Sequence, residues 1–94
     1  MRRFVWEASF RRAFKRTTRR QPLLQERILD ILAILAENPF EPELKTHKLH
    51  GQLEGLWACW VEYDCRVVFA FEPDPSGGDD LIVLVDIGSH DEVY

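Results

Sequence analysis

The spacing of hydrophobic residues predicts two helices in the first 40 positions. Between residues 6 and 20 the apolar positions recur at helical intervals, and basic side chains fill the opposite face. This first stripe consists of Trp6, Phe10, Ala13, Phe14 and Thr17. A second helix is predicted from about Pro22 to Glu37, with Leu24, Ile28, Ile31, Leu32 and Leu35 facing inward. The first helix ends at Gln21-Pro22, and the second ends at Asn38 because the residue before Pro39 is disfavoured in a helix.

Four other segments have the pattern of strands. They are Phe4–Trp6, Leu56–Tyr63, Arg66–Phe71 and Leu81–Ile87, of which the last is almost continuously apolar and β-branched. The acidic segment 72–80, rich in proline and glycine, predicts a mobile hairpin loop before the last strand. The order β-α-α-β-β-β predicts an α+β fold: a helical hairpin packed on one face of a four-stranded, mostly antiparallel sheet. We expect one domain over residues 1–94.

Composition narrows the class of protein. Hydrophobic residues make up 46% of the chain, which favours a packed core over disorder. No apolar run reaches the roughly 18 residues of a membrane span, and no signal peptide is evident, so we expect a cytoplasmic protein without membrane contact. Cys59 and Cys65 are then expected to be reduced structural thiols.

The net charge of −4 hides a strong asymmetry. Residues 1–20 carry eight Arg or Lys and one acid, whereas residues 21–94 carry four basic and fifteen acidic side chains. The basic side chains on the first helix are Arg11, Arg12, Lys15, Arg16 and Arg19. Such a face suits nucleic acid or an acidic protein, and is equally compatible with a helix surface that only faces water.

The histidines suggest acid–base chemistry more than metal binding. His47, His50 and His90 lack the Cys-x-x-Cys pattern that usually accompanies zinc, and no metal or other cofactor is expected. A phosphodiester in RNA can be cut without metal by a base, an acid and a cation, and the histidines, Asp64 and Arg66 are of those types. The alternative is that the histidines are solvated and that Arg66 pairs with a carboxylate across its turn.

Three segments resemble the RelE/ParE toxin superfamily, and its YafQ-like branch in particular. They run from Thr46 to Cys59, from Tyr63 to Phe69, and from Asp86 to Tyr94, with the ending Gly-Ser-His-Asp-Glu-Val-Tyr. The resemblance covers the chain and implies a metal-independent endoribonuclease that cuts mRNA in the ribosomal A site. It also implies a cognate antitoxin that blocks the toxin, and contact with operator DNA only through the complex of the two proteins.

The resemblance also implies the site residues. The positions of His47, Asp64 and His90 match the histidines and aspartate of YafQ-like toxins, and Tyr94 matches an aromatic position. Arg66 and Tyr94 match catalytic positions of RelE toxins. The predicted catalytic set is therefore His90, Asp64, Arg66, His47 and Tyr94. The predicted RNA- or ribosome-binding set is Arg11, Arg12, Lys15, Arg16, Arg19, Lys48 and Trp60.

Two positions depart from the YafQ-like pattern. Trp60 stands where these toxins carry a further histidine, and Cys65 stands where they carry a tryptophan. Trp60 cannot transfer a proton, although its ring suits stacking on a base. Two rival hypotheses therefore remain at this point: a ParE-like toxin that binds DNA gyrase, and a catalytically inactive corepressor that only binds its antitoxin.

Overall fold

The strand and helix patterns fold into a five-stranded sheet with two long helices on one face. The structure is a computed structural model that describes residues 1–93; Tyr94 lies outside the described residues, as does the side chain of Glu92. The strands are β1 (Phe4–Trp6), β2 (His47–Lys48), β3 (Trp57–Glu62), β4 (Cys65–Glu72) and β5 (Leu81–Gly88). The helices are α1 (Ala8–Thr18), α2 (Pro22–Glu37) and the short α3 (His90–Val93).

The strands lie in the order β1-β5-β4-β3-β2. β1 pairs with β5 in parallel, and the other neighbours are antiparallel, so the predicted α+β, mostly antiparallel architecture is confirmed. The sheet has one strand more than the four expected, because His47 and Lys48 pair with Ala58 and Trp57. Two residues are too few to show the alternation by which a strand is recognised in sequence.

The first helix is fixed to the sheet by aromatic side chains. Trp6 and Phe10 meet edge to face with ring centroids 5.1 Å apart, and Phe14 packs against both rings. The predicted inner stripe is correct except at its end. Thr18 is buried instead of Thr17, and its hydroxyl donates a hydrogen bond to the main-chain oxygen of Phe14 at 2.8 Å.

The second helix spans the predicted residues and packs aliphatic side chains into the core. Its buried side chains are Ile28, Ile31, Leu32, Leu35 and Ala36, while Leu24 is half-buried. Arg27 Nε donates to the main-chain oxygen of Val61 at 3.2 Å and so fixes the helix to the end of β3. None of the helices in residues 1–93 is long and apolar enough to cross a membrane.

The opposite face of the sheet has a smaller core of its own. Leu49, Ala58, Val68 and Val93 form a buried cluster there, with Leu53, Leu56 and Val85 against it. Val93 belongs to α3, so the end of the chain folds back onto the face that α1 and α2 leave uncovered. This contact fixes the helix that begins at His90.

The acidic loop between β4 and β5 is tied to the N-terminus. Arg3 Nη2 and Nε donate to the two oxygens of Asp74 at 2.8 and 3.2 Å, and Arg2 lies 3.9 Å from Asp79. These ion pairs hold a loop whose composition predicted mobility. Arg3 also lowers the pKa of Asp74 to about 2 through its hydrogen bonds.

Candidate active site

Three neighbouring strands align Trp60, Arg66 and Gly88 in one row. Trp60 pairs with Arg66 across β3 and β4, and Arg66 pairs with Gly88 across β4 and β5. Residues directly opposite each other in a sheet project to the same face. Since Val68, two residues after Arg66, packs in the cluster with Val93, this row lies on the α3 face. The arginine and the tryptophan are therefore neighbours on the face where the chain ends.

Arg66 is anchored by the turn that precedes it. Its Nη1 donates to the main-chain oxygens of Glu62, Tyr63 and Cys65 at 2.9, 3.1 and 3.3 Å. The expected alternative, a pair with a carboxylate across the turn, is not what holds this side chain. A guanidinium has five N–H donors, and anchoring through Nη1 leaves those of Nε and Nη2 for a ligand. The cation is thus fixed in position before any substrate arrives.

Asp64 occupies the same turn and is exposed. It lines a surface cavity of about 340 Å³ between the α1–α2 connection and the end of the sheet. Arg16, Gln21, Glu62 and Ser89 also line this cavity. Asp64 therefore lies where the basic helix, the β3–β4 turn and the residue before His90 come together.

His90 begins α3, two residues after the pairing partner of Arg66. Its side chain is 63% exposed, and its Nδ1 lies 3.8 Å from an oxygen of Asp91. The contact of Val93 with the sheet fixes the helix that carries it. The end of β5 thus brings His90 to the part of the sheet that holds Arg66 and Asp64. Tyr94, the last predicted catalytic residue, lies outside the described residues.

His47 and Lys48 lie on different faces of the sheet. His47 pairs with Ala58 and so faces the α3 side, whereas Lys48 pairs with Trp57 and lies with its Nζ 5.5 Å from that ring. Because β2 is two strands from β4, His47 is about 10 Å or more from Arg66, at about 4.8 Å per strand. His47 therefore shares a face of the sheet with Arg66 without being next to it, and Lys48 lies on the other face.

The imidazole of His47 has a defined hydrogen-bonding arrangement. Its Nδ1 lies 2.9 Å from the main-chain oxygen of Lys45. A carbonyl oxygen only accepts hydrogen bonds, so Nδ1 carries the proton and Nε2 is the basic nitrogen of the neutral ring. The contact with Lys45 therefore fixes the orientation of this ring.

Lys45 is a candidate that the sequence did not reveal. Its Nζ lies 4.7 Å from the centroid of the Trp60 ring, within the range of a cation–π contact. Lys45 has a left-handed backbone, with φ of 50°, at the end of a 3₁₀ turn. The only sequence signal was a lysine two residues before His47. Its contact adds a cation to the ring predicted to stack on RNA.

The basic side chains of α1 are exposed as predicted. Arg11 Nε donates to the main-chain oxygen of Trp6 at 3.3 Å, which orients this side chain along the helix. Of the set, Arg16 also lines the cavity of Asp64. The basic surface and the candidate active site are therefore continuous.

The two cysteines are buried thiols, in agreement with the sequence. Burial raises the pKa of the Cys59 thiol to about 12. A neutral, inaccessible thiol is a poor nucleophile, which excludes Cys59 from the chemistry. Leaving aside Glu92 and Tyr94, whose side chains are not described, no three side chains of His, Cys, Asp or Glu are grouped so as to hold a metal ion.

A larger cavity, of about 600 Å³, lies at the other end of β3. Its lining includes Lys48, His50, Trp57 and Phe71. Asp64 lines the smaller cavity and not this one, so its greater size does not make it the better candidate for the acid–base chemistry.

The family comparison covers nearly the whole chain. The model of a family described as the bacterial toxin of a type II toxin–antitoxin system, YafQ, matches residues 2–94. No curated protein sequence matches the chain.

Solved structures of bacterial toxins share the fold. The structure of YafQ from Escherichia coli BL21(DE3) is 17% identical, with a TM-score of 0.77 over 100% of this chain and 99% of that one. A YoeB/ParE toxin from Agrobacterium tumefaciens is 20% identical, with a TM-score of 0.77 over 94% of this chain and 98% of that one. The toxin in the E. coli DinJ–YafQ complex is 17% identical, with a TM-score of 0.75 over 99% and 97%.

Proposed function

The chain belongs to the YafQ family of bacterial type II toxin–antitoxin toxins, and we propose that it is an endoribonuclease that cuts mRNA on the ribosome and so stops translation. The observation that carries the proposal is the anchored guanidinium of Arg66. It lies in the turn of Asp64 and pairs with Gly88, two residues before His90. A base, an acid and a fixed cation are what RNA cleavage by the 2′-hydroxyl requires.

The reaction is an internal transesterification. A base removes the proton of the 2′-hydroxyl, the 2′-oxygen forms a bond to phosphorus, and the bond from phosphorus to the 5′-oxygen breaks. An acid protonates the departing oxygen, which leaves a 2′,3′-cyclic phosphate and a 5′-hydroxyl. Asp64 and His90 share these two proton transfers. The reaction consumes no water and needs no metal ion.

Arg66 stabilises the negative charge that develops on the phosphate. Its Nη1 is held by three main-chain oxygens, so the side chain loses little freedom when a phosphate binds the other nitrogens. Preorganised donors of this kind stabilise a transition state more than mobile ones do. The same bonds fix the conformation of the turn that carries Asp64.

The remaining predicted residues assist. His47 acts from β2 through Nε2, and Tyr94 stacks on or orients the nucleotide that is cut. Trp60 stacks on a neighbouring base, supported by the cation of Lys45 at 4.7 Å from its ring. The exposed basic face of α1 binds the phosphates of ribosomal RNA, and the toxin acts in the cytoplasm.

The partner is a cognate antitoxin. The E. coli YafQ structure with a similar fold occurs in a complex with DinJ. We propose that an antitoxin of this type neutralises the present toxin, and that operator DNA is bound only through the complex of the two.

Expression without the antitoxin tests the catalytic assignment. His90→Ala and Asp64→Ala are expected to relieve growth inhibition and to leave mRNA intact, whereas Asp80→Ala, in the exposed acidic loop, stays toxic. Unchanged toxicity of both site variants would overturn the assignment. DNA-damage signalling with intact mRNA would instead support a gyrase-binding toxin, and antitoxin binding without any cleavage would support a corepressor.

A further inference from the structure

The cavity beside Asp64 contains polar groups that the cleavage reaction does not use. Arg16, Gln21 and Glu62 line it together with the proposed catalytic aspartate. Its volume of about 340 Å³ lies at the lower end of the range for small-molecule sites and accommodates a single nucleobase. A substrate group held here lies directly against Asp64.

Gln21 presents a fixed amide to this cavity. Its Nε2 donates to the main-chain oxygen of Thr17 at 3.1 Å, and its main-chain nitrogen donates to the oxygen of Thr18 at 2.9 Å. Both ends of the residue are therefore tied to the last turn of α1. This arrangement leaves the amide oxygen Oε1 and one N–H of Nε2 to bind the edge of a base.

Glu62 is held by the same bond that anchors Arg66. Its main-chain oxygen accepts from Arg66 Nη1 at 2.9 Å, which fixes the backbone from which the carboxylate projects. Among the side chains that the structure describes, none forms an ion pair or a side-chain hydrogen bond with this carboxylate or with the guanidinium of Arg16. Both groups are therefore available to a ligand.

The charges of Glu62 and Arg16 indicate which kind of ligand the cavity can bind. An ionised carboxylate only accepts hydrogen bonds, so Glu62 favours a group with N–H donors. Arg16 supplies a cation suited to a phosphate. Adenine, cytosine and guanine carry an exocyclic amino group, whereas uracil carries the oxygen O4 where cytosine carries its amino group. An N–H donor and a phosphate on one ligand describe a nucleotide. An exocyclic amino group suits the carboxylate better than N3–H of uracil, which lies between the two carbonyl oxygens O2 and O4.

We propose that this cavity is a base-selecting subsite of the cleavage site, an inference that rests on the proposed function. It holds the base of the nucleotide whose 2′-hydroxyl reacts. Glu62 accepts a hydrogen bond from the exocyclic amino group, Gln21 adds a second bond to the base edge, and Arg16 binds the 5′-phosphate of that nucleotide. Uracil binds more weakly, because its only base-edge donor, N3–H, lies between two carbonyl oxygens that repel the carboxylate.

Cleavage of reporter mRNAs that differ only in the base before the cut tests the subsite. Purified toxin on ribosomes is expected to cut after adenine, cytosine or guanine about tenfold to a hundredfold faster than after uracil. Glu62→Gln is expected to cut after uracil almost as well, since an amide can also donate. Glu37→Gln, an exposed acid of α2 outside the cavity, keeps the preference.

A binding measurement separates this inference from the proposed function. Adenosine 3′,5′-bisphosphate is expected to shift the amide resonances of Arg16, Gln21 and Glu62, and Arg16→Gln weakens its binding more than Arg20→Gln does. The uridine analogue is expected to bind at least about tenfold more weakly. These shifts without mRNA cleavage would refute the proposed function and support the subsite.

Two results would overturn the subsite and leave the ribonuclease intact. One is cleavage by the wild-type toxin with no preference against uracil. The other is a preference that Glu62→Gln retains in full.

Discussion

Arg66 Nη1 lies 2.9 Å from the main-chain oxygen of Glu62, four residues earlier in the chain. Two further carbonyl oxygens of the same turn, those of Tyr63 and Cys65, accept from this nitrogen. The turn that presents Asp64 and the cation proposed to bind the phosphate are therefore one structural unit. A change in the arginine alters both the charge of the site and the shape of the turn.

Arg66→Lys is expected to lower the rate of mRNA cleavage by at least about tenfold, although the charge is retained. An ammonium cannot bind the three carbonyl oxygens and a phosphate in the geometry of a guanidinium. Single-turnover cleavage on ribosomes measures the effect, with Arg20→Lys as the control at an exposed position outside the site. A lysine variant as fast as the wild type would show that only the charge matters.

Val93→Ala is expected to lower the rate of mRNA cleavage strongly while lowering the free energy of unfolding only modestly. The valine is 7% exposed and attaches α3 to Ala58 and Val68, so its loss loosens the helix that begins at His90. Removing two buried methyl groups costs about 1.5 kcal/mol in transfer free energy, and the cavity that remains adds to this cost. Urea unfolding and cleavage are measured together, with Val5→Ala, at a position 40% exposed on the edge strand, as the control. Full activity of the Val93 variant would show that the packing of α3 does not position His90 for cleavage.

Asp74→Asn is expected to destabilise the fold at neutral pH but not in strong acid. Arg3 holds the pKa of Asp74 at about 2, below the ordinary 3.8. A lowered pKa stabilises the fold above pH 3.8, and that contribution is lost as the pH falls toward 2. The unfolding midpoints of wild type and variant should differ at pH 7 and converge as the pH falls from about 4 toward 2. Asp80→Asn serves as the control, and a constant gap at all pH values would contradict the account.

Cys59 is expected to make the fold less stable in alkali. Its pKa is raised to about 12 from 9.0, mainly by burial. The unfolded chain therefore loses this proton at lower pH than the folded protein, so the stability contributed below pH 9 is lost as the pH rises toward 12. Cys59→Ala should show a shallower fall in the free energy of unfolding over that range. If the free energy of unfolding falls equally with pH in the wild type and in Cys59→Ala, Cys59 is not the cause of the fall.

The helices could be predicted from sequence because their signals are local. Pro22 suits the first turn of a helix and Asn38-Pro39 ends one, so the bounds of α2 agree with the prediction. At the end of α1 the buried position is Thr18 and not Thr17. The Thr18 hydroxyl donates to the main-chain oxygen of Phe14, so this polar group keeps a hydrogen bond when it is buried.

The site was harder to predict because pairing register and main-chain contacts decide it. A two-residue strand puts His47 and Lys48 on opposite faces, and its register with β3 cannot be read from two residues. The anchoring of Arg66 uses carbonyl oxygens, which every residue has, so the sequence suggested carboxylate partners instead. Gln21 joins the Asp64 cavity only because the α1–α2 connection folds over the end of the sheet.

Cleavage of a defined mRNA by the purified toxin, with and without ribosomes, tests the central claim most directly. We expect cuts only when ribosomes are present, 2′,3′-cyclic phosphate ends, and a loss of at least about a hundredfold in the cleavage rate of Asp64→Ala and His90→Ala. Intact mRNA at every toxin concentration, or equal cleavage by both variants and the wild type, would contradict it.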